Sequence, residues 1–342
     1  MSSSRQGRRP SPTVSRLAAA TAAVFSAGGT PAAAQDNDGQ FWVDWLARND
    51  QIVVSATLTP VKIEDLPVTV SIKSASQIAD EMVTDIKDLV RFEPGISVQR
   101  QPARFNAAAS STGRAGNEGF NIRGIGGNRV LIQVDGVRVP DGFSFGAQSV
   151  GRGDYVDLGL IKSVEIMRGP SSALYGSDGL AGAISFTTSE PADFLEGDKS
   201  VGGLVRASFA SADSEFEETA ILAARSGDWS AMAAYTRRDF SEMDNRGTVG
   251  GTGAARTEPN PQDGRSNAVL ARIVYQPAGG HKVRLTGEYL DTYLFTEGLT
   301  GLSPTVELLT GTDTGNRKRV TLDWSWQGSG PISFARAAVF WQ

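Results

Sequence analysis

From about Ser200 onward, apolar and polar residues take turns along the chain. Val269, Ala271, Ile273 and Tyr275 alternate with Arg272 and Gln276; Val283, Leu285, Gly287 and Tyr289 with Arg284, Thr286 and Glu288; Val320, Leu322, Trp324 and Trp326 with Arg319, Thr321, Asp323 and Ser325. A period of two predicts strands with one apolar and one polar face. Short joints (SGD, PAGG, GSGP) alternate with long Gly-rich ones at 240–266 and 295–316. Strands of about ten residues, short turns at one end and long loops at the other are the pattern of a transmembrane β-barrel, apolar towards lipid and polar within. A soluble two-sheet sandwich shares the alternation but gives no role to exposed Trp324, Trp326 and Tyr289 beside charged inward positions. The pattern predicts about seven strands, and the smallest bacterial barrels have eight. An open sheet edge cannot sit in lipid. The expectation is therefore the N-terminal portion of a larger barrel protein.

The preceding part reads differently. QIVVSATLTP (51–60) is extended and stopped by Pro60. SASQIADEMVTDIKDLVRFEPG predicts a helix opened by Ser76, with Ile78, Met82, Ile86, Leu89 and Val90 as its apolar stripe. FEPGISV turns into a strand. In FNIRGIGGNRVLIQVDGVRV (120–139), Val130, Ile132 and Val134 share one face and Leu131, Gln133 and Asp135 the other, and Asp135-Gly136 predicts a tight hairpin turn. LIKSVEIMRGP is a further strand. SSALYGSDGLAGAISFTTSEP gives a short helical turn, a Gly-rich connection and a strand up to Thr188. Residues 51–192 thus predict a small mixed α/β domain.

Composition narrows the chemistry. The chain has no cysteine, one histidine (His281) and a net charge of −5. Zinc clusters, thiol redox chemistry and disulfides are excluded. Residues 1–34 hold Arg5, Arg8, Arg9 and Arg16 and no acid, so the remainder is more acidic still, which speaks against nucleic acid as a partner. A basic start, the short apolar run LAAATAAVFSAGG and Ala32-x-Ala34 before Gln35 predict a secretory signal peptide over 1–34. No later stretch reaches the roughly 18 apolar residues of a spanning helix. An exported chain of this kind enters a membrane only as a closed sheet. Residues 35–50 form a polar linker interrupted by Phe41, Trp42, Trp45 and Leu46, to which no function is assigned.

Two motifs suggest enzymes. GIGGNR resembles a dinucleotide loop, but the third glycine of Gly-x-Gly-x-x-Gly falls at Arg129. GFSFG (142–146) matches a nucleophile elbow, with Ser144 as nucleophile and His281 as the base; no strand-elbow-helix context accompanies it.

The ordered blocks QIVVSATLTPVKIEDLPVTV, FNIRGIGGNRVLIQVDGVRV and IKSVEIMRGPSSALYGSDGLAGAISFTT, followed by alternating strands, resemble the TonB-dependent outer-membrane receptors. GNRVLIQVDGVRVPDGFSFG and GRGDYVDLGLIKSVEI further resemble the subfamily that takes iron from heme, hemoglobin or transferrin-like proteins. The resemblance implies a small mixed α/β plug domain (58–192), after a periplasmic linker with a TonB box (35–57), followed by the first antiparallel strands (200–342) of a transmembrane β-barrel of about twenty-two strands. It implies a transporter and not an enzyme, in the bacterial outer membrane, with no permanently bound cofactor or resident metal; heme or a ferric chelate is cargo. The alternatives are a ferric siderophore or cobalamin receptor, and more distantly a serine hydrolase or a passive porin or adhesin.

The chain has no Gly-x-x-x-x-Gly-Lys phosphate loop, so energy must come from a TonB-type periplasmic partner. Gln51, Ile52, Val53, Val54, Ser55 and Ala56 are expected to add as a strand to that partner's sheet edge. A plug inside a polar lumen cannot be held by apolar surface alone. Arg123, Arg129, Arg138 and Arg168, with Asp135 and Glu165, are therefore expected in ion pairs within the plug and to the wall, beside the signature residues Gly124, Asn128, Gly136, Gly169, Tyr175 and Gly176. Phe143, Phe145 and Gln148 fall on a loop that, by resemblance, faces the external ligand vestibule. The loop 139–153 lacks the histidine that heme receptors typically use, which leaves His281, expected at the periplasmic rim, poorly placed as a ligand.

Overall fold

The computed structural model describes residues 52–53, 61–62, 68–98, 119–142, 144–145, 148–149, 156–171, 179–328 and 334–342. At the start, β1 (Ile52–Val53) pairs antiparallel with β2 (Val61–Lys62). The next strands are β3 (Thr69–Ser74), β4 (Ile96–Val98), β5 (Phe120–Ile122), β6 (Ile125–Gly126), β7 (Val130–Val134) and β8 (Val137–Arg138). After them come β9 (Ser144–Phe145), β10 (Gln148–Ser149), β11 (Ile161–Arg168) and β12 (Gly182–Thr188). A five-stranded sheet runs in the order β3-β11-β12-β7-β8, with β12 and β7 parallel and its other pairs antiparallel; β4-β5-β6 form a second, smaller sheet.

Strand β7 is buried on both faces. Val130, Ile132 and Val134 enter one cluster with Ile166, Ile184 and Phe186, covered by Ile78, Ile86 and Leu89. Leu131 enters a second with Met167, Ala183, Val70 and Ile72. The face expected to be polar is therefore interior too. Its Gln133 stays compatible because the side-chain amide donates to Ser185 Oγ on the neighbouring strand.

The single helix expected from Ser76 is two short ones, α1 (Ala75–Asp80) and α2 (Ile86–Leu89). Ser74 is the cap of α1, its hydroxyl accepting from Gln77 N while the Gln77 side chain accepts from Ser74 N. The break falls at Met82, which takes a positive φ and stays 80% exposed, so it leaves the apolar stripe. Asp85 restarts the helix by accepting from Asp88 N at 2.7 Å.

Beyond a turn at Pro191–Phe194, seven strands follow in sequence order, all antiparallel: β13 (Val201–Ala210), β14 (Glu215–Ser226), β15 (Trp229–Ser241), β16 (Gln262–Tyr275), β17 (His281–Glu297), β18 (Thr310–Gln327) and β19 (Phe334–Trp341). β16, β17 and β18 run 14, 17 and 18 residues, longer than expected, and the long joints shrink to 242–261 and 298–309. Apart from Phe240 and Phe295 the added positions are polar or glycine, so the sequence alone resembled loop there; the ladder, for example Phe240↔Gly264, makes them strand.

The two faces of this sheet differ as the alternation predicts. Val205, Leu222, Ile273, Leu285, Val320, Leu322 and Val339 point outward and are exposed. Arg272, Thr286, Arg319, Thr321 and Asp323 point the other way and are buried. An apolar face this continuous suits lipid, not water. At the short-joint end, Trp229, Tyr275, Val283 and Trp324 occupy one cross-strand row. The rings of Trp229 and Tyr275 lie 4.6 Å apart, and those of His281 and Trp324 lie 6.0 Å apart. Such a row resembles the aromatic girdles that flank the apolar band of outer-membrane barrels.

Candidate functional site

The α/β domain rests on the polar face of the long sheet, joined to it by charged groups and, at Leu160, by an apolar contact. The central contact starts from a local rule. Asp-Gly in a two-residue hairpin adopts positive φ at both positions; here Asp135 has φ 52° and Gly136 φ 83°, between Val134 and Val137. The turn aims Asp135 at the sheet. Its Oδ1 accepts from Thr188 N at 2.9 Å, and Oδ2 accepts from Thr188 Oγ1 at 2.6 Å, Arg272 Nη2 at 2.8 Å and Arg319 Nη2 at 3.4 Å. Arg336 Nη2 donates to the Asp135 carbonyl at 3.3 Å. Three arginines from β16, β18 and β19 thus converge on one turn.

Arg272 is satisfied throughout. Nε donates to Thr286 Oγ1 at 3.0 Å, Nη1 to the carbonyls of Thr188 and Ser189, and Nη2 to Asp135 and Thr188 Oγ1. All five N–H groups of a guanidinium are placed in this way. Arg319 donates to the Val134 carbonyl and to Glu288, which also accepts from Arg317 at 3.1 Å. The Arg272 and Arg319 side chains are each 1% exposed. Burial by itself would raise the Asp135 pKa; the two guanidiniums and the Thr188 donors outweigh it and hold the carboxyl at about 2.

A second anchor follows β12. Glu190 accepts from Lys282 Nζ at 2.5 Å and from Arg284, whose Nε also donates to Asp323 at 2.9 Å. Burial opposes charge here as well, and Lys282 and Arg284 overcome it, placing Glu190 at about 2.

A third contact is built around the turn Leu158–Leu160. Asp157 caps it, Oδ1 accepting from Gly159 N at 3.0 Å. Burial, and the nearby Glu217, push this carboxyl up to about 6 against the pull of Arg238. Arg238 in turn donates to Glu215 at 2.6 Å and to the Thr84 carbonyl at 3.1 Å, tying the segment between the two helices to β15.

The polarity of these contacts differs from the expectation. The α/β domain supplies the acids and the sheet supplies most of the cations. Arg168 pairs with Glu93 and donates to Ser71, both in its own domain. Arg138 pairs with Asp141 at 3.1 Å, and Arg129 Nε donates to the Gly126 carbonyl at 3.2 Å. Arg123 is exposed, with φ 51° and its N–H on the Gly95 carbonyl. Glu165 is buried on β11. The sheet, by contrast, turns alternate residues of β16 to β18 into the contact, among them Arg272, Arg284 and Arg319.

Asn128 has a local task, gripping Gly142 by donating to its carbonyl and accepting from its N–H, each at 2.9 Å. It thereby fixes the start of the segment carrying Phe145 and Gln148, which pair across β9 and β10. Ser144 also lies in β9, opposite Ser149, and so in a hairpin and not a strand-elbow-helix. Gly124 and Gly169 take positive φ, 85° and 134°. Gln51, Val54, Ser55, Ala56, Phe143, Tyr175 and Gly176 lie outside the described residues. Sequence reasoning missed Glu190, Asp157, Lys282 and Arg238. Lys282 and Arg238 sit at inward positions of alternating strands, a signal that was available; nothing local marks Asp157 or Glu190.

Acid should loosen this contact. Asp135 and Glu190 have pKa values depressed below their ordinary 3.8 and 4.5. Their contribution is complete above those ordinary values and lost as pH falls through about 2. Protease cleavage of the α/β domain should therefore rise steeply below about pH 4 while the sheet stays intact.

Comparison with known proteins agrees with this architecture. Residues 62–183 match the family described as TonB-dependent Receptor Plug Domain. The chain is 35% identical over 179 residues to transferrin-binding protein A of Haemophilus influenzae, covering 50% of this chain and 18% of that one. It is 30% identical over 238 residues to hemoglobin-haptoglobin-binding protein A of the same species, covering 66% and 21%. It therefore spans about a fifth of the length of these relatives. Among solved structures, the FrpB iron transporter from Neisseria meningitidis (F5-1 variant) superposes with a TM-score of 0.61 at 22% identity, over 79% of this chain and 40% of that one. A ferric enterobactin receptor mutant from Pseudomonas aeruginosa gives 0.58 at 17%, over 81% and 40%. At such identities these two establish the fold alone. Residues 62–183 belong to the TonB-dependent receptor plug family, and the seven-stranded sheet beside them matches the start of a barrel.

Proposed function

We propose that this chain is the plug and opening wall of an outer-membrane receptor that imports an iron-bearing ligand, with heme or hemoprotein-derived iron as the first cargo. In this reading residues 1–34 are a cleaved signal peptide, 35–57 a periplasmic linker with the TonB box, 58–192 the plug and 200–342 wall. Import is driven by a TonB-type protein gripping Gln51–Ala56. The observation that carries the reading is the polar, hydrogen-bonded seam at Asp135, where Arg272 and Arg319 meet one carboxylate. Charged pairs contribute little net stability, because desolvation offsets attraction. They nonetheless specify one seated geometry, which suits a plug that must be held in place and yet be displaced under force. The names of the relatives, transferrin-binding and hemoglobin-haptoglobin-binding proteins, support iron taken from a host protein. The ferric siderophore alternative rests on solved structures below 25% identity, and so on fold only. His281 accepts from Trp324 Nε1 at 3.3 Å in the aromatic row, which does not favour it as a heme ligand.

The test uses the full receptor in cells. Uptake of iron from hemoglobin and from transferrin should stop when the proton gradient is collapsed, and when Gln51–Ala56 is deleted. Surface binding of the same proteins should persist. Uptake that survives both treatments would mean passive diffusion and refute the proposal.

A further inference from the structure

We infer that the contact of Asp157–Leu160 with wall strands β14, β15 and β16 is a proton-operated latch, loose while every carboxylate at it is charged and tight once it has taken up one proton. The inference rests on the plug-and-wall reading above and adds a regulatory element to it.

The charge balance sets this contact apart from the other two. Asp135 meets Arg272 and Arg319, and Glu190 meets Lys282 and Arg284, so each of those acids faces two cations. At the latch three carboxylates face two guanidiniums, with a further acid, Asp213, near Glu215 at its edge. Asp157 comes from the plug, and Glu215 and Glu217 from β14. Arg238 on β15 lies 2.6 Å from Glu215 and 3.8 Å from Glu217, and Arg206 on β13 lies 3.1 Å from Glu217. Across the adjoining cavity the charged neighbours are Glu288 of β17, which pairs with Arg317 and Arg319 of β18, and Arg317 itself. Among these five groups one negative charge is unmatched, and a proton on a buried carboxyl removes it.

The backbone makes the contact tight enough to respond. Gly159 touches the wall directly: a Cβ there would lie 2.8 Å from Thr219 Oγ1 and 3.0 Å from Thr236 Oγ1. Those two hydroxyls are 3.2 Å apart, and Thr219 also reaches Glu217 at 3.4 Å. Leu160 packs among the wall residues Ile221, Ala234 and Leu270. A small separation here therefore breaks apolar packing and the hydroxyl contacts together. The adjoining cavity of about 30 Å³, lined by Asp157, Thr188, Glu288 and Arg317, has room for one or two waters that can carry the proton in.

The sign follows from the docked state binding the proton more tightly than the undocked one. Burial first, then Glu217, raise the Asp157 carboxyl to about 6. Docking therefore gains as pH falls below that value and is fully gained near the ordinary carboxyl value of 3.8. A mildly acidic exterior locks this edge of the plug, and a neutral one frees it. This trend is opposite to that of the Asp135 and Glu190 anchors.

Hydrogen exchange in the full receptor in lipid nanodiscs tests the latch at the amides of Leu160 and Ser189, which are bonded to the carbonyls of Asp157 and Leu160. After correction for the intrinsic rate, protection should rise about tenfold between pH values of about 7 and 5. Asp157→Asn should be protected throughout and show no such rise. Glu217→Gln, which keeps Asp157 and relieves its like-charged neighbour, should move the transition to lower pH. A wild-type profile without the rise, or an Asp157→Asn profile that retains it, would overturn the latch. Failure of driven uptake would refute the transport reading and leave this exchange result standing.

Discussion

Asp135→Asn should release the centre of the plug from the wall. Asparagine has nearly the same shape and tolerates the left-handed backbone that the turn demands, so the hairpin itself should persist. What disappears is the carboxylate shared by Arg272 and Arg319, whose side chains are 1% exposed and cannot turn to water. Breaking a buried pair by removing one partner costs about 3–5 kcal/mol, mostly because a charge is left uncompensated. In the full receptor, exchange protection of the Val130–Val134 and Gly182–Thr188 strands should fall by that amount. Asp135→Asn combined with Arg272→Met and Arg319→Met should recover much of it, since no orphan charge remains. Lys199→Ala is the control; its pair with Glu196 is largely exposed, and its loss should cost about 0–1 kcal/mol. If Asp135→Asn behaved like Lys199→Ala, the anchor would have no energetic weight.

Gly182→Ala should cost as much for a different reason. Gly182 opens β12 with φ 153°, a conformation that side chains rarely adopt. An added Cβ would fall inside the envelope of the Met167 carbonyl oxygen and 2.9 Å from Ile122 Cδ1. The residue pairs with Arg168 on one side and Val130 on the other, so neither neighbouring strand can retreat without breaking the five-stranded sheet. Strain of this kind, added to overpacking, should lower plug stability by about 3 kcal/mol or more, read as lost exchange protection of β7 and β12 in the full receptor. Gly197→Ala is the comparison. It also has positive φ, 54°, but nothing lies within 4 Å of its Cβ, so about 1 kcal/mol is expected. Equal effects at the two positions would mean that the sheet yields at Gly182.

Much of the fold was legible because the rules behind it are local. Two-residue alternation separated lipid-facing Ile273 and Leu322 from inward Arg272 and Asp323, since successive side chains of a strand point to opposite faces. Asp135-Gly136 announced its turn through the backbone preferences of two residues. Where local signals compete, the reading slipped. Met82 fits a helical stripe by spacing, yet it ends α1, because Ser74 and Asp85 set caps for two helices instead of one. The outer ends of β16 and β18 are polar or glycine on both faces, and only the ladder distinguishes them from loop.

The seam itself divides along the same line. The sequence by itself determined that Arg272 and Arg319 would face inward, that Asp135 would sit on a tight turn, and that a polar plug would need charged contacts. It did not determine which charges meet. Asp135 and Arg272 are 137 residues apart, and Asp135 and Arg319 are 184 apart. Only the docking of one sheet against another brings them within reach. That step also decided that the plug carries the acids, that its own Arg168 turns back to Glu93, and that Asp157 shares too few cations. Strand periodicity is written in neighbouring residues; charge complementarity across a seam is a property of two surfaces and exists only once both are folded.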